Sequence, residues 1–394
     1  MRGVIVIIGY NRPKPLKRCF DYVSRAFYPE DDQVDLYFSL DHSDMETEIC
    51  QMIQSFEWPH GELKVLTHPE RMGLKKHVIS CGNLIGDHDF LIMLEDDIIV
   101  SESFYLYTAE AVRKYDCYEE IGGISLYARE VFQQNGRMFE PVYNGNDVYL
   151  MQVAESWGQA WSNRMWKEFY EWYLNHQTFI KPFRMADYSY SWDERSWLKY
   201  YMGFVASENK YLVHPYHGYS TNTEEIGENY KTTDTDYQVA LTYGQKEFRM
   251  PEPENCVRYD AFFERENDPW FSFNYHGEPV LLDLNAARSN YGNYRYLAST
   301  RKLNYKIIQT YGLSLRPQEI NLINDVQGHD IYLYDLTIAE KNRMPSNNDQ
   351  ITRYNVRAVS WARLSHLGIR EFSEHIQKIV RNKKNQLKRK LHRK

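Results

Sequence analysis

Phe90-Leu91-Ile92-Met93-Leu94-Glu95-Asp96-Asp97-Ile98-Ile99-Val100-Ser101 sets three consecutive carboxylates inside an otherwise apolar run. Acids left in such a segment without partners would be costly. The run reads as a buried strand whose end delivers Glu95, Asp96 and Asp97 to a site. Oxygen ligands of this kind suit a hard divalent cation, Mn2+ or Mg2+, and a cation held by few protein carboxylates completes its shell with phosphate oxygens. The same residues also fit a plainer reading, an ordinary strand followed by an acidic turn and a helix capped by Ser101 or Ser103.

Upstream of that strand, the apolar stretches Val4 to Ile8, Val34 to Leu40 and Leu63 to Thr67 alternate with helical patterns at about Pro15 to Phe27, Asp44 to Phe56 and Leu74 to Ile85. This rhythm predicts an α/β fold, a Rossmann-like, mostly parallel sheet flanked by helices. In such sheets ligands sit beyond the carboxyl ends of the strands. Tyr10-Asn11-Arg12, Asp41-His42-Ser43-Asp44, His68-Pro69-Glu70-Arg71 and Glu95-Asp96-Asp97 all fall there, so four polar strand ends are expected to meet in one crevice.

Downstream, a helix is expected near Phe104 to Tyr115, then a hairpin from Val131 to Phe139 turning at Asn135-Gly136, then aromatic, loop-rich sequence to about Tyr230. The charged, proline-containing stretch from Pro251 to Trp270 reads as a boundary. Beyond it, Pro279 to Asn285 and Asp330 to Thr337 read as strands, and Arg301 to Tyr311 and Trp361 to Asn382 as helices. The expected division is a first domain over 1–250, a C-terminal α+β extension over 251–377 and a basic amphipathic tail over 378–394. No internal repeat or long low-complexity segment is visible.

The 394 residues suffice for a large core, and 33 Tyr, 18 Phe and 9 Trp make the chain rich in faces and hydroxyls of the kind used by sugar-handling clefts. Interior packing uses the same residues. No stretch approaches the roughly 18 apolar residues of a membrane span, and Met1 to Tyr10 reads as a first core strand rather than a signal peptide. Five scattered cysteines show no zinc or redox spacing. A cytoplasmic setting is expected.

The net charge of −7 hides an asymmetry, because Lys378 to Lys394 carries nine Lys or Arg and no acid, which leaves the rest of the chain at −16. Phe372, Ile376, Ile379, Val380, Leu387 and Leu391 fall near one helical face, as in a helix lying on an anionic membrane surface. An exposed basic tail is the alternative. Nucleic acid is not expected as a partner, since the body is acidic and no recognised nucleic-acid module is present.

Taken in order along the chain, Val6-Ile7-Ile8-Gly9-Tyr10-Asn11-Arg12-Pro13, Leu40-Asp41, Arg71-Met72-Gly73-Leu74 and Leu94-Glu95-Asp96-Asp97 resemble the GT-A glycosyltransferases. Within them, they are similar to the inverting group that includes N-acetylglucosaminyltransferase I and family-2-like bacterial enzymes. Ser156-Trp157-Gly158-Gln159-Ala160-Trp161 and Trp192-Asp193-Glu194-Arg195-Ser196-Trp197 resemble the tryptophan-rich acceptor-side segments of the bacterial members. The match covers roughly residues 1–230. Gln159 stands where relatives often carry another Trp, and nothing after residue 250 matches the family.

This resemblance implies a UDP-sugar donor, a glycan or lipid-linked glycan acceptor, a role in bacterial surface polysaccharide synthesis, and Mn2+ or Mg2+ as cofactor. It implies Asp97 as the direct metal ligand, Asp96 facing the ribose or the metal's water shell, and Glu95 supporting both. Asp41 would accept from the uracil edge or ribose, with Asn11, Arg12 and Arg71 along the nucleotide. Asp193 or Glu194 would supply the base, Asp193 being favoured as the acid directly after Trp. Flanking Trp192 and Trp197 are expected to desolvate that carboxylate and raise its pKa. The residue chemistry agrees independently, since breaking an anomeric C–O bond leaves a diphosphate whose developing charge must be neutralised. A solvated loop charge remains an ordinary explanation for Asp41 and Arg71, a helix-entry surface residue for Arg12, and the first turn of a helix for Asp193 and Glu194.

His214 and His217 read as structural residues, and Ser220 to Asn229 resembles a loop that closes over the site in the bacterial members. A nucleotidyltransferase would also use acidic metal ligands on a parallel sheet, but its amino-terminal glycine-rich phosphate loop is missing. A catalytically inactive carbohydrate-binding protein is the other alternative, against which the retention of all three acids argues.

Overall fold

The computed structural model describes residues 1–134, 137–178, 185–223, 237–266, 268–269 and 271–343, together with positions 373, 376, 377 and 380. The first hundred residues fold as β1 (Arg2–Gly9), α1 (Pro13–Val23), β2 (Gln33–Leu40), α2 (Glu46–Ile53), β3 (Leu63–Thr67), α3 (Leu74–Gly82), β4 (Phe90–Glu95) and β5 (Ile98–Val100). Then come α4 (Phe104–Tyr115), β6 (Ile121–Ser125), the short pair β7 (Val131–Phe132) and β8 (Arg137–Met138), β9 (Val148–Met151) and β10 (Gln159–Ser162). Next are α5 (Asn163–Asn175), α6 (Asp187–Tyr190), α7 (Trp197–Ser207), β11 (Tyr211–Pro215), β12 (Ser220–Asn222) and β13 (Arg258–Tyr259).

Nine strands form one sheet in the order β13-β9-β11-β6-β10-β4-β1-β2-β3. Its half from β4 to β3 is parallel throughout, while β10 enters antiparallel between β4 and β6. The expected α/β class, a mostly parallel sheet with flanking helices, is the one observed. Val4 to Ile8 of β1 are buried on both faces, as helices covering both sides of a parallel sheet require. Each such side chain contributes roughly 1.5–3 kcal/mol on burial. The register is level at the strand ends, with Ile8 opposite Glu95, Gly9 opposite Leu40, and Leu40 opposite Thr67. That alignment delivers the polar residues after β1, β2, β3 and β4 to a common edge.

Helix α1 begins where the chain meets Pro13. Proline suits the first helical turn and holds the preceding residue extended, so Arg12 sits outside the helix with its side chain free to turn back toward β4. Leu16, Cys19, Phe20 and Val23 then follow the helical period into the core.

A second sheet of five strands follows: β14 (Asn274–Tyr275), β15 (Glu278–Asp283), β16 (Tyr296–Ser299), β17 (Tyr305–Tyr311) and, after the single turn α8 (Ile320–Ile323), β18 (Ile331–Ala339). It has its own apolar cluster around Leu282, Tyr296, Ile331 and Leu333. β13 joins the nine-stranded sheet beside β9, and Tyr259, Ala261, Phe262 and Phe263 belong to the first core.

Two sequence expectations are corrected here. The helix expected from Arg301 to Tyr311 is instead strand β17, where β-branched and aromatic residues pair along β18. The stretch expected to be loop-rich supplies β9, β10 and β11 to the central sheet and α5 and α7 to its cover. The β7–β8 hairpin forms as expected, with Val131 opposite Met138, although its turn at 135–136 lies outside the described residues. So do nearly all of the helix expected at 361–382 and the tail from 381 onward.

Candidate active site

Arg12 is the centre of the strand-end cluster. Its Nε donates to Asp96 Oδ2 at 3.2 Å, its Nη2 donates to Asp96 Oδ1, and the same nitrogen reaches Asp97 Oδ2 at 3.0 Å. Asp96 is buried, whereas a quarter of the Asp97 side chain is exposed. Burial pushes Asp96 up to about 6 against the pull of Arg12. Glu95 carries the larger shift: burial first, then Asp97 and Asp96, push it up to about 8.

Asp41 follows β2 and is also buried. Its Oδ1 accepts from the backbone N–H of Met72 at 2.7 Å and of His42 at 3.0 Å, and its Oδ2 from Gly73 N–H at 2.9 Å. Asp41 therefore clamps the turn entering α3. Gly73 adopts φ 75° there, a conformation that favours glycine. The clamp stations Arg71 with its guanidinium 4.7 Å from the Tyr10 ring centroid. Ser43 Oγ donates to the Tyr10 carbonyl at 2.7 Å, which ties the ends of β1 and β2 together. Asn11 lies exposed in the same loop.

The Ser156–Trp161 motif approaches this edge along β10. A small cavity beside Glu95 is lined by Ser156, Gln159, Trp161 and Trp197, so both tryptophan-bearing motifs reach the strand end of β4. Trp161 is fully buried and donates from Nε1 to Tyr201 Oη at 2.7 Å. Behind it, the fully buried Glu155 pairs with Arg129.

Asp193 and Glu194 lie in the turn before α7, ahead of the helix rather than in its first turn. Asp193 is half exposed and accepts from Arg195 N–H at 2.9 Å and Arg195 Nε at 3.0 Å. Glu194 accepts from Lys199 Nζ at 2.5 Å and Tyr200 Oη at 2.9 Å, while Lys75 of α3 donates to its backbone carbonyl at 2.7 Å. Burial raises the Glu194 pKa, but Lys199, Tyr200 and Lys75 outweigh it and the net shift is downward. The expectation that neighbouring tryptophans raise it is corrected for Glu194, because two direct donors favour the charged form more than partial burial opposes it.

Sequence reasoning missed these two lysines. Lys199 interrupts the apolar run Trp197-Leu198-Lys199-Tyr200-Tyr201-Met202, and a lone charge buried in such a helix was the signal. It also missed the strap on Asp97: Thr223 donates to the Asp97 carbonyl from N–H at 2.9 Å and from Oγ1 at 3.0 Å, and Arg18 donates to Thr223 Oγ1 at 2.7 Å. β12 pairs with β5 immediately after the acids. The rest of the expected closing loop, 224–229, lies outside the described residues. The chain returns at Tyr237, stacked 5.2 Å from Trp157. His214 is structural as expected, buried with Nε2 2.7 Å from the Val153 carbonyl.

Among the described residues, no group of three or more His, Cys, Asp or Glu is arranged to hold a metal ion. The donor set of Asp96 and Asp97 fits a different arrangement, in which one or two carboxylates meet a cation that arrives with phosphate oxygens. Asp97 is the partly exposed carboxylate of the two, with Oδ2 paired to Arg12.

No protein-family model matches the chain, and neither does any curated protein. Solved structures similar to it include a mannosyltransferase, PcManGT from Pyrobaculum calidifontis in complex with GDP-Man and Mn2+, at 15% identity and TM-score 0.30, over 41% of this chain and 44% of that one. S. aureus TarS 1-349 in complex with UDP-GlcNAc is similar at 12% identity and TM-score 0.38, over 58% of this chain and 60% of that one. This chain thus spans less than two thirds of either. At these values the likeness transfers neither a residue role nor an activity.

Proposed function

We propose that the chain is a metal-assisted, inverting glycosyltransferase that moves a sugar from a UDP-sugar to a glycan or lipid-linked glycan in bacterial surface polysaccharide synthesis. The observation that carries this reading is the Arg12–Asp96–Asp97 cluster set level with the Asp41 clamp at the carboxyl edge of a parallel sheet. Asp41, Asn11 and Arg71 line the place for the nucleoside, with Tyr10 and Arg71 as its flat, cationic wall. Asp97 would hold Mn2+ or Mg2+, which supplies positive charge to the diphosphate leaving group. Asp96, fixed by Arg12, sets the orientation of Asp97, and Glu95 lies behind both in the cavity shared with Trp197.

In the transfer, an acceptor hydroxyl oxygen bonds to the anomeric carbon as the bond from that carbon to the diphosphate oxygen breaks. The hydroxyl proton passes to a carboxylate on the acceptor side. Asp193 is the first candidate, since Glu194 is held by Lys199 and Tyr200 with its pKa lowered, and a base weakens as its pKa falls. The test is Asp97→Ala: calorimetry should show loss of Mn2+-dependent UDP binding while the melting temperature stays near that of the parent. Unchanged Mn2+-dependent affinity in the folded variant would refute the assignment.

A further inference from the structure

Arg12 does not divide itself evenly between the two aspartates at the carboxyl edge of β4. It holds the buried Asp96 through both Nε and Nη2, and reaches Asp97 Oδ2 through Nη2 alone, at 3.0 Å. The forked pair is the stronger of the two, and the shared single bond the weaker. The N–H groups on Arg12 Nη1 meet no acceptor among the described residues, and the side chain is 21% exposed. A guanidinium keeps its charge and has no acceptor of its own. Arg12 is thus anchored on Asp96, held more loosely on Asp97, and left with donors to spare.

The backbones on either side are fixed. Leu16 N–H donates to the Arg12 carbonyl at 3.2 Å, and Pro13 opens α1 directly after it. The Asp97 carbonyl accepts from Thr223 N–H at 2.9 Å and from Thr223 Oγ1 at 3.0 Å. Any exchange of partners at this edge therefore falls to the side chains.

The consequence is electrostatic, and it rests on the reading of Asp97 as the carboxylate for a divalent cation. Arg12 already offsets the charge of Asp97, so a divalent cation at that carboxylate would be set beside a positive charge bonded to the same group. Like charges this close repel, and more strongly where water is partly excluded. A diphosphate reverses the balance, because it brings acceptors for the Nη1 and Nη2 donors and negative charge between the two cations. We propose that Arg12 is an internal counter-ion that makes divalent-cation binding at Asp97 conditional on a nucleoside diphosphate, by leaving Asp97 for a phosphate oxygen while Nε stays on Asp96. The two affinities are then coupled, and such couplings are typically about 5–150-fold.

Arg12→Gln in the full chain tests this. Its amide nitrogen takes the place of Nε on Asp96, while the charge and the reach to Asp97 are removed. Electron paramagnetic resonance, which counts free Mn2+, should show the variant binding Mn2+ alone about tenfold more tightly than the parent. Calorimetry in EDTA should show it binding UDP alone about tenfold more weakly, the scale of one lost charge-assisted bond. A merely structural role for Arg12 would weaken both. If the variant does not fold, a crystal structure of the parent with UDP and Mn2+ serves, in which Arg12 should lie on a phosphate oxygen and off Asp97 Oδ2. The inference is overturned if folded Arg12→Gln binds Mn2+ no more tightly than the parent, if its UDP affinity is unchanged, or if Arg12 keeps Asp97 in that crystal. The reading of the site fails on a different result, a parent chain without Mn2+-dependent UDP binding, and the inference would fall with it.

Discussion

Asp193 and Glu194 are adjacent carboxylates given opposite surroundings. Glu194 spends its oxygens on Lys199, itself buried, and on Tyr200, whereas Asp193 accepts three bonds from the exposed Arg195, a surface pair of the kind worth little. If Asp193 is the base, Asp193→Asn should keep donor affinity and lose transfer by about 10²-fold or more, the usual cost of removing a general base. Glu194→Gln should instead raise the KM for acceptor, because Lys199 would lose the charged partner that fixes the turn, while the Lys75 bond to the backbone carbonyl remains. Steady-state kinetics with a fixed donor separate the two. A dead Glu194→Gln beside an active Asp193→Asn would reverse the assignment. The pair was visible in the sequence as two acids between tryptophans. Their inequality was not, because it depends on Lys75 and Lys199, one from a helix more than a hundred residues upstream.

At the scale of elements, the strands most legible in the sequence were those buried on both faces. β1 and β4 carry unbroken apolar runs, β2 one interrupted only by the buried Asp35 and Ser39, and their polar successors could be assigned to one edge without coordinates. β10 was hidden, because Gln159-Ala160-Trp161-Ser162 is short and takes its strand character from inserting antiparallel between β4 and β6. β17 was misread for a related reason: Tyr305 to Tyr311 owes its conformation to β18 more than to its own period. Helix α3 carries a further consequence. His77 is buried with Nε2 2.7 Å from Ser39 Oγ, and burial brings its pKa down to about 4. An unfolded histidine titrates near 6.5, so between about 4 and 6.5 the unfolded chain binds the extra proton and stability rises with pH. The contribution is complete above that window and is lost as pH falls through it. Urea unfolding at about pH 5 and about pH 7.5 should therefore show a smaller difference for His77→Gln than for the parent chain. An equal difference in the two proteins would mean that His77 gains its proton without cost to the fold.

The whole molecule divides its charge unevenly, with nine positive charges between Lys378 and Lys394 against −16 over the rest. Among the described residues no helix is long and apolar enough to cross a membrane. An enzyme working on a lipid-linked glycan must still meet its acceptor at a lipid surface. Each Lys or Arg near an anionic leaflet contributes roughly 1 kcal/mol, so several acting together would hold the protein there reversibly, while the acidic body is repelled and left facing the solution. Vesicles containing anionic lipid should bind the full chain at low salt and release it as salt rises, since the attraction decays over a Debye length of about 10 Å at 0.1 M. Deleting residues 378–394 should abolish sedimentation with those vesicles and leave transfer to a soluble acceptor analogue intact. Equal sedimentation of the truncated protein would remove the tail from the membrane argument. Loss of soluble-acceptor activity would show instead that the tail supports the enzyme's own fold, and its basic residues would then need partners on the acidic body rather than on a lipid surface.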